Sequence, residues 1–85
     1  MKNNVVIIFR DYVHNISDDL EVPLNISANE LFAGLNQAYG LGVAEDDFLQ
    51  YMLRCENPIA LLRGEKTLAE YGIRDGSRII FVKNR

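Results

Sequence analysis

Apolar residues in the first quarter of the chain follow two patterns that are typical of β-strands. Residues 5–9 are continuously apolar and mostly β-branched. Farther along, Leu20, Val22 and Leu24 alternate with acidic residues and proline, which is the pattern of a half-buried strand. We expect the two strands to pair as a hairpin. The second strand should lie at a sheet edge, because Pro23 has no N–H to donate to a neighbouring strand.

The next apolar pattern predicts a helix over residues 28–39. Ser27 and Glu30 form a capping box, in which each side chain accepts a hydrogen bond from the backbone N–H of the other residue. Gly40 predicts the helix end, because glycine readily adopts left-handed backbone angles. Gly34 lies inside the helix, where it costs about 1 kcal/mol relative to alanine, and a close contact between helix and sheet is the expected reason. The predicted apolar stripe consists of Ala28, Leu31, Phe32, Leu35, Ala38 and Tyr39.

The rest of the chain predicts three more strands and a single helical turn. Apolar residues indicate a third strand at 49–53, a short fourth strand at 59–62 and a last strand at 78–82. Residues 67–72 are typical of one helical turn. The predicted order is β-β-α-β-β-turn-β, an α+β arrangement. A chain of 85 residues has room for one hydrophobic core, so we expect residues 1–85 to form a single domain.

The composition is that of an ordinary folded domain, with 48% hydrophobic and 25% charged residues. The formal net charge is −3 and the basic residues are scattered, which argues against nucleic acid as a partner. No apolar run is long enough for direct membrane insertion, and no signal peptide is evident. The single cysteine, Cys55, cannot form an intramolecular disulfide, which suits a reducing compartment. We therefore expect a cytoplasmic protein.

Few residues could support catalysis or bind a cofactor. Cys55 and His14 are the candidates for a nucleophile and a base, but nothing in the sequence brings them together. A small, partly buried residue and a solvated loop imidazole are the simpler interpretations. Glu45-Asp46-Asp47 could be read as a cation site, yet it lacks the spaced oxygen ligands of a calcium-binding loop. We therefore predict no enzymatic activity, no metal and no cofactor.

Two segments near the end of the chain carry a resemblance to a known family. Thr67-Leu68-Ala69-Glu70-Tyr71-Gly72-Ile73, followed by Asp75-Gly76-Ser77 and a terminal strand, resembles the C-terminal third of ubiquitin. Together with the element order, the resemblance implies a ubiquitin-like β-grasp fold. In that fold a mixed five-stranded sheet has the order 2-1-5-3-4, with the first and last strands parallel at its centre and one helix packed on one face.

A finer resemblance begins at Asp19-Leu20-Glu21-Val22-Pro23, which leads into the helix and is followed by Tyr71-Gly72-Ile73 and Asp75-Gly76. These segments are similar to the YukD/EsaB family, which comprises small ubiquitin-like accessory proteins of the type VII (WXG100, Ess/Yuk) secretion systems of Gram-positive bacteria. The chain ends in Phe81-Val82-Lys83-Asn84-Arg85, without the paired glycines of ubiquitin and the sulfur carriers. Conjugation and sulfur transfer are therefore not expected.

The central strands of such a sheet are apolar on both faces here, although one helix can cover only one face. The residues expected to face the helix are Val5, Ile7, Phe9, Ile79 and Phe81, with Leu49, Tyr51 and Leu53. The residues expected to form a protein-binding face on the other side are Val6, Ile8, Met52, Ile80 and Val82, bordered by Arg10, Arg54 and Arg78. The alternative is that strand ends and loop side chains shield this face. A register error of one residue would exchange the two sets.

The main hypothesis is a cytoplasmic accessory or regulatory component of a type VII secretion system that binds protein partners. These could be components of the membrane secretion machinery or a second copy of the chain. A ubiquitin-like adaptor in an unrelated bacterial complex is the alternative, and the neighbouring genes would distinguish the two. A third hypothesis, from a different class, is a carrier protein or a thiol enzyme that uses the C-terminus or Cys55.

Overall fold

The computed structural model describes residues 3–44 and 50–83. Every predicted element is found in the predicted order, with limits that differ by a few residues. Leu49 and Glu45-Asp46-Asp47 lie outside the described residues. The elements are β1 (Asn4–Asp11), β2 (Ile16–Pro23), α1 (Ala28–Tyr39), β3 (Tyr51–Glu56), β4 (Ala60–Leu62), α2 (Leu68–Tyr71) and β5 (Arg78–Lys83).

The five strands form one mixed sheet in the order β2-β1-β5-β3-β4, which confirms the predicted β-grasp topology. β1 and β5 run parallel at the centre, and the other neighbouring strands are antiparallel. β2 is an edge strand, as Pro23 predicts. α1 packs against one face of the sheet, which we call the inner face.

The limits of α1 follow from the predicted local signals. Ser27 Oγ accepts a hydrogen bond from the Glu30 N–H, and the Glu30 carboxylate accepts one from the Ser27 N–H, each at 3.0 Å. Gly40 ends the helix with a φ of 61°, in the region that favours glycine. The expected reason for Gly34 is wrong, because a methyl group there would meet no neighbouring atom within 4 Å. The helix does not approach the sheet closely at that position.

The hydrophobic core lies between α1 and the inner face. The strand residues with no accessible surface include Ile7, Phe9, Leu53, Ile79 and Phe81. This set confirms which alternate residues face the helix. The Phe81 ring centroid lies 5.9 Å from that of Phe32 in α1 and 5.1 Å from that of Tyr51 in β3. Burying one such large apolar side chain contributes about 1.5–3 kcal/mol, so the inner face supplies much of the stability.

The short helix α2 supports the connection between β2 and α1. The backbone N–H groups of Leu68 and Ala69 donate to the carbonyl oxygens of Ile26 and Leu24, each at 3.0 Å. Leu68 is fully buried in the core. Because a helix of one turn has little stability of its own, this burial and these bonds hold α2 in place.

Candidate functional site

The face of the sheet that points away from α1 is the candidate site, and we call it the outer face. Successive side chains of a strand point to opposite faces, so the neighbours of the buried inner residues point outward. The eight residues predicted for a binding face all lie at outward positions of β1, β3 and β5. They are Val6, Ile8, Arg10, Met52, Arg54, Arg78, Ile80 and Val82.

Ile80 occupies the middle of the outer face and has only 3% of its surface exposed. For this residue the alternative expectation is correct, because the chain itself shields it. Its neighbours on this face are arginines: Ile80 is paired with Arg10 of β1 on one side and with Arg54 of β3 on the other. Arginine side chains lay their apolar stems along such surfaces while the guanidinium stays near water.

The other apolar residues of the outer face remain accessible. Val6 is 43% exposed, and Ile8, Met52 and Val82 are half-buried. Leu61 of β4 is 46% exposed and pairs with Arg54, so it extends the same face. The sequence interpretation missed Leu61. Its position between half-buried Ala60 and buried Leu62 is an alternation that could have indicated an outward side chain.

The three arginines of the outer face differ in their exposure and in their bonding partners. Arg78 forms an ion pair with Glu56, with 3.5 Å between Nη1 and Oε1. Arg54 is exposed. Arg10 is half-buried, and its Nε is buried with no hydrogen-bond partner among the described residues. Because charged donors form strong hydrogen bonds with carboxylates, Arg10 and Arg54 give this face a capacity to bind acidic groups.

Asp11, the last residue of β1, is fully buried. Its Oδ1 accepts hydrogen bonds from the N–H groups of Val13 and His14, at 2.8 and 3.0 Å. Its Oδ2 lies 2.6 Å from His14 Nδ1. Aspartate often stabilises a turn through such local bonds. His14 is exposed in the β1–β2 turn, as expected of a loop imidazole, and Asp11 also holds its ring.

Cys55 is fully buried on the inner face of β3, where it pairs with Ile79. Burial, reinforced by the negative charge of Glu56, raises the pKa of the Cys55 thiol to about 11. The sulfur is therefore protonated at neutral pH, whereas the thiolate is the effective nucleophile. Because the His14 imidazole contacts Asp11 instead, the two candidate catalytic residues do not form a pair.

Neither a metal centre nor a membrane-spanning helix is found in the described part of the chain. Across residues 3–44 and 50–83, no three His, Cys, Asp or Glu side chains are grouped to hold a metal ion. Among the helices of those same ranges, none is long and apolar enough to cross a membrane. The acidic run Glu45-Asp46-Asp47, which the sequence analysis did not favour as a cation site, lies outside these ranges.

Comparisons with known proteins agree with the fold and identify a family. Residues 4–81 match the family described as WXG100 protein secretion system (Wss), protein YukD. No curated protein matches the chain. The matched region includes all of β1 to α2 and most of β5, so the match covers nearly the whole fold.

Solved ubiquitin-like structures are similar to the chain over almost its full length. The ubiquitin-like domain of tubulin-binding cofactor B has a TM-score of 0.73 at 22% identity, covering 98% of this chain and 92% of that one. The domain of yeast Ddi1 has a TM-score of 0.75 at 13% identity, with coverages of 100% and 94%. Ubiquitin of Caldiarchaeum subterraneum has a TM-score of 0.72 at 17% identity, with coverages of 96% and 95%. At these identities the likeness concerns the fold alone.

Proposed function

The chain belongs to the YukD family of the WXG100 protein secretion system, and on that basis we propose that it is a non-enzymatic protein-interaction module of a type VII secretion apparatus, acting in the cytoplasm. Its task is to bind a protein component of that apparatus through the outer face. The observation that carries the proposal is the combination of accessible apolar residues and arginines on one face of the sheet.

The shape and chemistry of the outer face support a protein partner. Val6 and Leu61 are the most exposed of its apolar residues and lie near opposite ends of the face, with Arg10 and Arg54 between them. Arginine and apolar side chains are both common in protein interfaces. The partner surface should therefore offer carboxylates to Arg10 and Arg54 and apolar groups to Val6 and Leu61.

The arginines at the middle of the outer face, Arg10 and Arg54, also bear on whether a second copy could be the partner. In a symmetric dimer the same patch lies on both subunits, so the arginines of one copy would face a surface that carries the same arginines. Like charges brought together at an interface cost free energy. We therefore propose a different protein as the main partner, with a homodimer as the competing outcome.

A pair of charge-reversing variants tests the proposal. Arg54→Glu changes the outer face, and Arg63→Glu makes the same change of charge at an exposed position that follows β4. Both variants should fold, which circular dichroism and thermal melting would check. Tagged wild-type protein and the Arg63→Glu variant should co-purify with the same component of the secretion machinery from the host, whereas the Arg54→Glu variant should lose it.

Two results would contradict the proposal. The first is that both variants co-purify with the partner equally well, because a partner whose binding does not depend on Arg54 would not use the outer face as proposed. The second is a wild-type dimer in sedimentation experiments that Arg54→Glu dissociates, because the outer face would then bind a second copy. A captured partner that has no part in secretion, encoded away from WXG100 substrates and a membrane ATPase, would favour the adaptor hypothesis.

A further inference from the structure

An apolar groove lies on the inner side of the sheet, between the edge strand β2 and helix α1, and we call it the edge groove. Its volume is about 470 Å³. Leu20 and Val22 line it on the β2 side, and Gly34, Leu35 and Ala38 line it on the helix side. None of the eight residues predicted for the protein-binding face lines it.

Small residues of α1 keep the edge groove open. Gly34 is exposed, and no neighbouring atom lies within 4 Å of where its Cβ would be. Ala38 follows one helical turn later on the same side of the helix. At the far end, the Tyr39 hydroxyl donates a hydrogen bond to Asp18 Oδ2 at 2.9 Å, which links α1 to β2. The groove is thus an opening between two elements that are held together at one end.

The outer edge of β2 has backbone groups available for another strand. The Ile8 N–H donates to Ser77 and the Val6 carbonyl accepts from Gly76, so even-numbered residues of β1 point their backbone groups toward β5. Odd-numbered residues of β1 therefore bond to their β2 partners, which are Ile16, Asp18, Leu20 and Val22. The intervening Ser17, Asp19 and Glu21 point their N–H and carbonyl groups away from the sheet. In the described part of the chain, no strand pairs with that edge.

Acidic side chains lie on both sides of the β2 edge and favour a basic partner strand. Asp19 and Glu21 lie on the outer side of β2, because they pair with Ile8 and Val6 of the outer face. Asp18 and Glu30 lie on the groove side. Charged residues on an edge strand discourage pairing with a second copy of the same edge, since acidic side chains would then face acidic side chains. The same charges favour a strand that carries lysine or arginine.

We propose that β2 and the edge groove form a second protein-binding site, which takes an extended segment of another protein in which apolar and basic residues alternate. The segment adds to the sheet as a sixth strand by pairing with the backbone of Ser17, Asp19 and Glu21. Because strand side chains alternate, its apolar side chains enter the groove beside Leu20 and Val22. Its basic side chains lie on the other side, next to Asp19 and Glu21.

Two synthetic peptides test this site on the full chain, one alternating valine with lysine and the other alternating valine with glutamate. Binding of the lysine peptide should shift the backbone amide NMR signals of Ser17, Asp19, Glu21 and Gly34. We expect the glutamate peptide to bind at least about tenfold more weakly, a difference of 1.4 kcal/mol. Added salt should weaken binding of the lysine peptide, because the attraction between exposed charges is screened.

Matched variants separate the groove from the general charge of the protein. Gly34→Leu places an apolar side chain at the groove, where its Cβ meets no neighbouring atom within 4 Å, and should lower the affinity for the lysine peptide by about tenfold or more. Ala33→Leu places the same side chain on the neighbouring exposed position of α1 and should leave the affinity unchanged. A variant with both Asp19→Lys and Glu21→Lys should reverse the preference, so that the glutamate peptide binds more tightly.

Each other result would overturn the proposal. Absence of binding by the lysine peptide at millimolar concentration shows that the edge is simply protected by its charges. Shifts confined to Ile8, Met52 and Val82 place the peptide on the outer face. Equal affinity of the two peptides would show that charge does not contribute to recognition. Unchanged affinity in the Gly34→Leu variant would show that the groove does not contribute. A dimer of the free protein that Gly34→Leu dissociates means that a second copy occupies the groove. None of these results affects the proposal for the outer face, whose test uses Arg54.

Discussion

Phe81 and Ile80 are neighbours on β5 and both are almost inaccessible to water, but different parts of the molecule cover them. Phe81 lies on the inner face among aromatic rings, including that of Phe32 in α1. Ile80 lies on the outer face between Arg10 and Arg54. A ring in a packed core has little freedom to move, whereas an arginine stem can change its conformation.

The comparison shows that low exposure alone does not distinguish the core from a binding surface. A side chain beneath α1 can become accessible only if the helix leaves the sheet, which is close to unfolding the domain. A side chain beneath arginine stems can become accessible when those stems rotate. A partner that offers carboxylates to Arg10 and Arg54 could draw the guanidinium groups aside and contact Ile80 directly. The outer face can therefore present more apolar surface to a partner than it exposes alone.

The largest expected effect is that of removing a ring from the inner face. Phe81→Ala should lower the free energy of unfolding by about 3–5 kcal/mol, the usual range for a buried aromatic residue. Its neighbours Phe32 and Tyr51 belong to different elements, so they cannot close the cavity by a local movement. Urea denaturation followed by circular dichroism measures the change. A loss below that of Ile80→Ala would contradict the proposed difference between the two faces.

The same truncation at Ile80 measures the strength of the arginine cover. We expect Ile80→Ala to lower the free energy of unfolding by about 2 kcal/mol, at the low end of the range for buried aliphatic residues, because flexible stems can settle into the space. Val6→Ala is the matched control on the same face. It should cost less, since Val6 is already 43% exposed. The same urea titrations apply, and a loss at Val6 equal to that at Ile80 would show that burial by arginine stems contributes nothing.

Gly34→Ala tests whether α1 contacts the inner face of the sheet at this position. If α1 touched the sheet at this position, an added methyl group would push the helix away and destabilise the protein. The free space around Gly34 predicts the opposite, a gain of about 1 kcal/mol from the higher helix propensity of alanine. A rise in the midpoint of urea denaturation would confirm this. A fall would place the helix closer to the sheet than the structure does and would remove the edge groove.

The sequence predicts those parts of the fold that depend on neighbouring residues in the chain. The cap formed by Ser27 and Glu30 and the stop at Gly40 are encoded within a few positions, and both are found. Alternation along a strand likewise places Ile7 with Phe9 on one face of β1 and Ile79 with Phe81 on one face of β5. These features require no knowledge of how distant segments meet.

The features that the sequence does not reveal depend on contacts between distant segments. Ile80 lies between Arg10 and Arg54 because the β1–β5 and β3–β5 registers place these residues on either side of it. Gly34 opens a groove only because β2 lies beside α1 at that height. Asp11 looks like a strand end in the sequence, and its burial becomes evident only once the turn folds over it. Alternation therefore identifies the residues of the outer face, but it does not reveal that Ile80 is buried there.

The smallest expected effect separates the stem of Arg10 from its charge. Arg10→Met keeps most of the apolar stem and removes a guanidinium whose Nε is buried without a partner among the described residues. We expect the free energy of unfolding to change by less than about 0.5 kcal/mol, or to rise slightly, because an unsatisfied buried polar atom is lost. Arg10→Ala also removes the stem and should cost about 1 kcal/mol through the exposure of Ile80. Thermal melting of the two variants measures both changes. Equal losses of stability in Arg10→Met and Arg10→Ala would mean that the charge of Arg10, rather than its stem, stabilises the outer face.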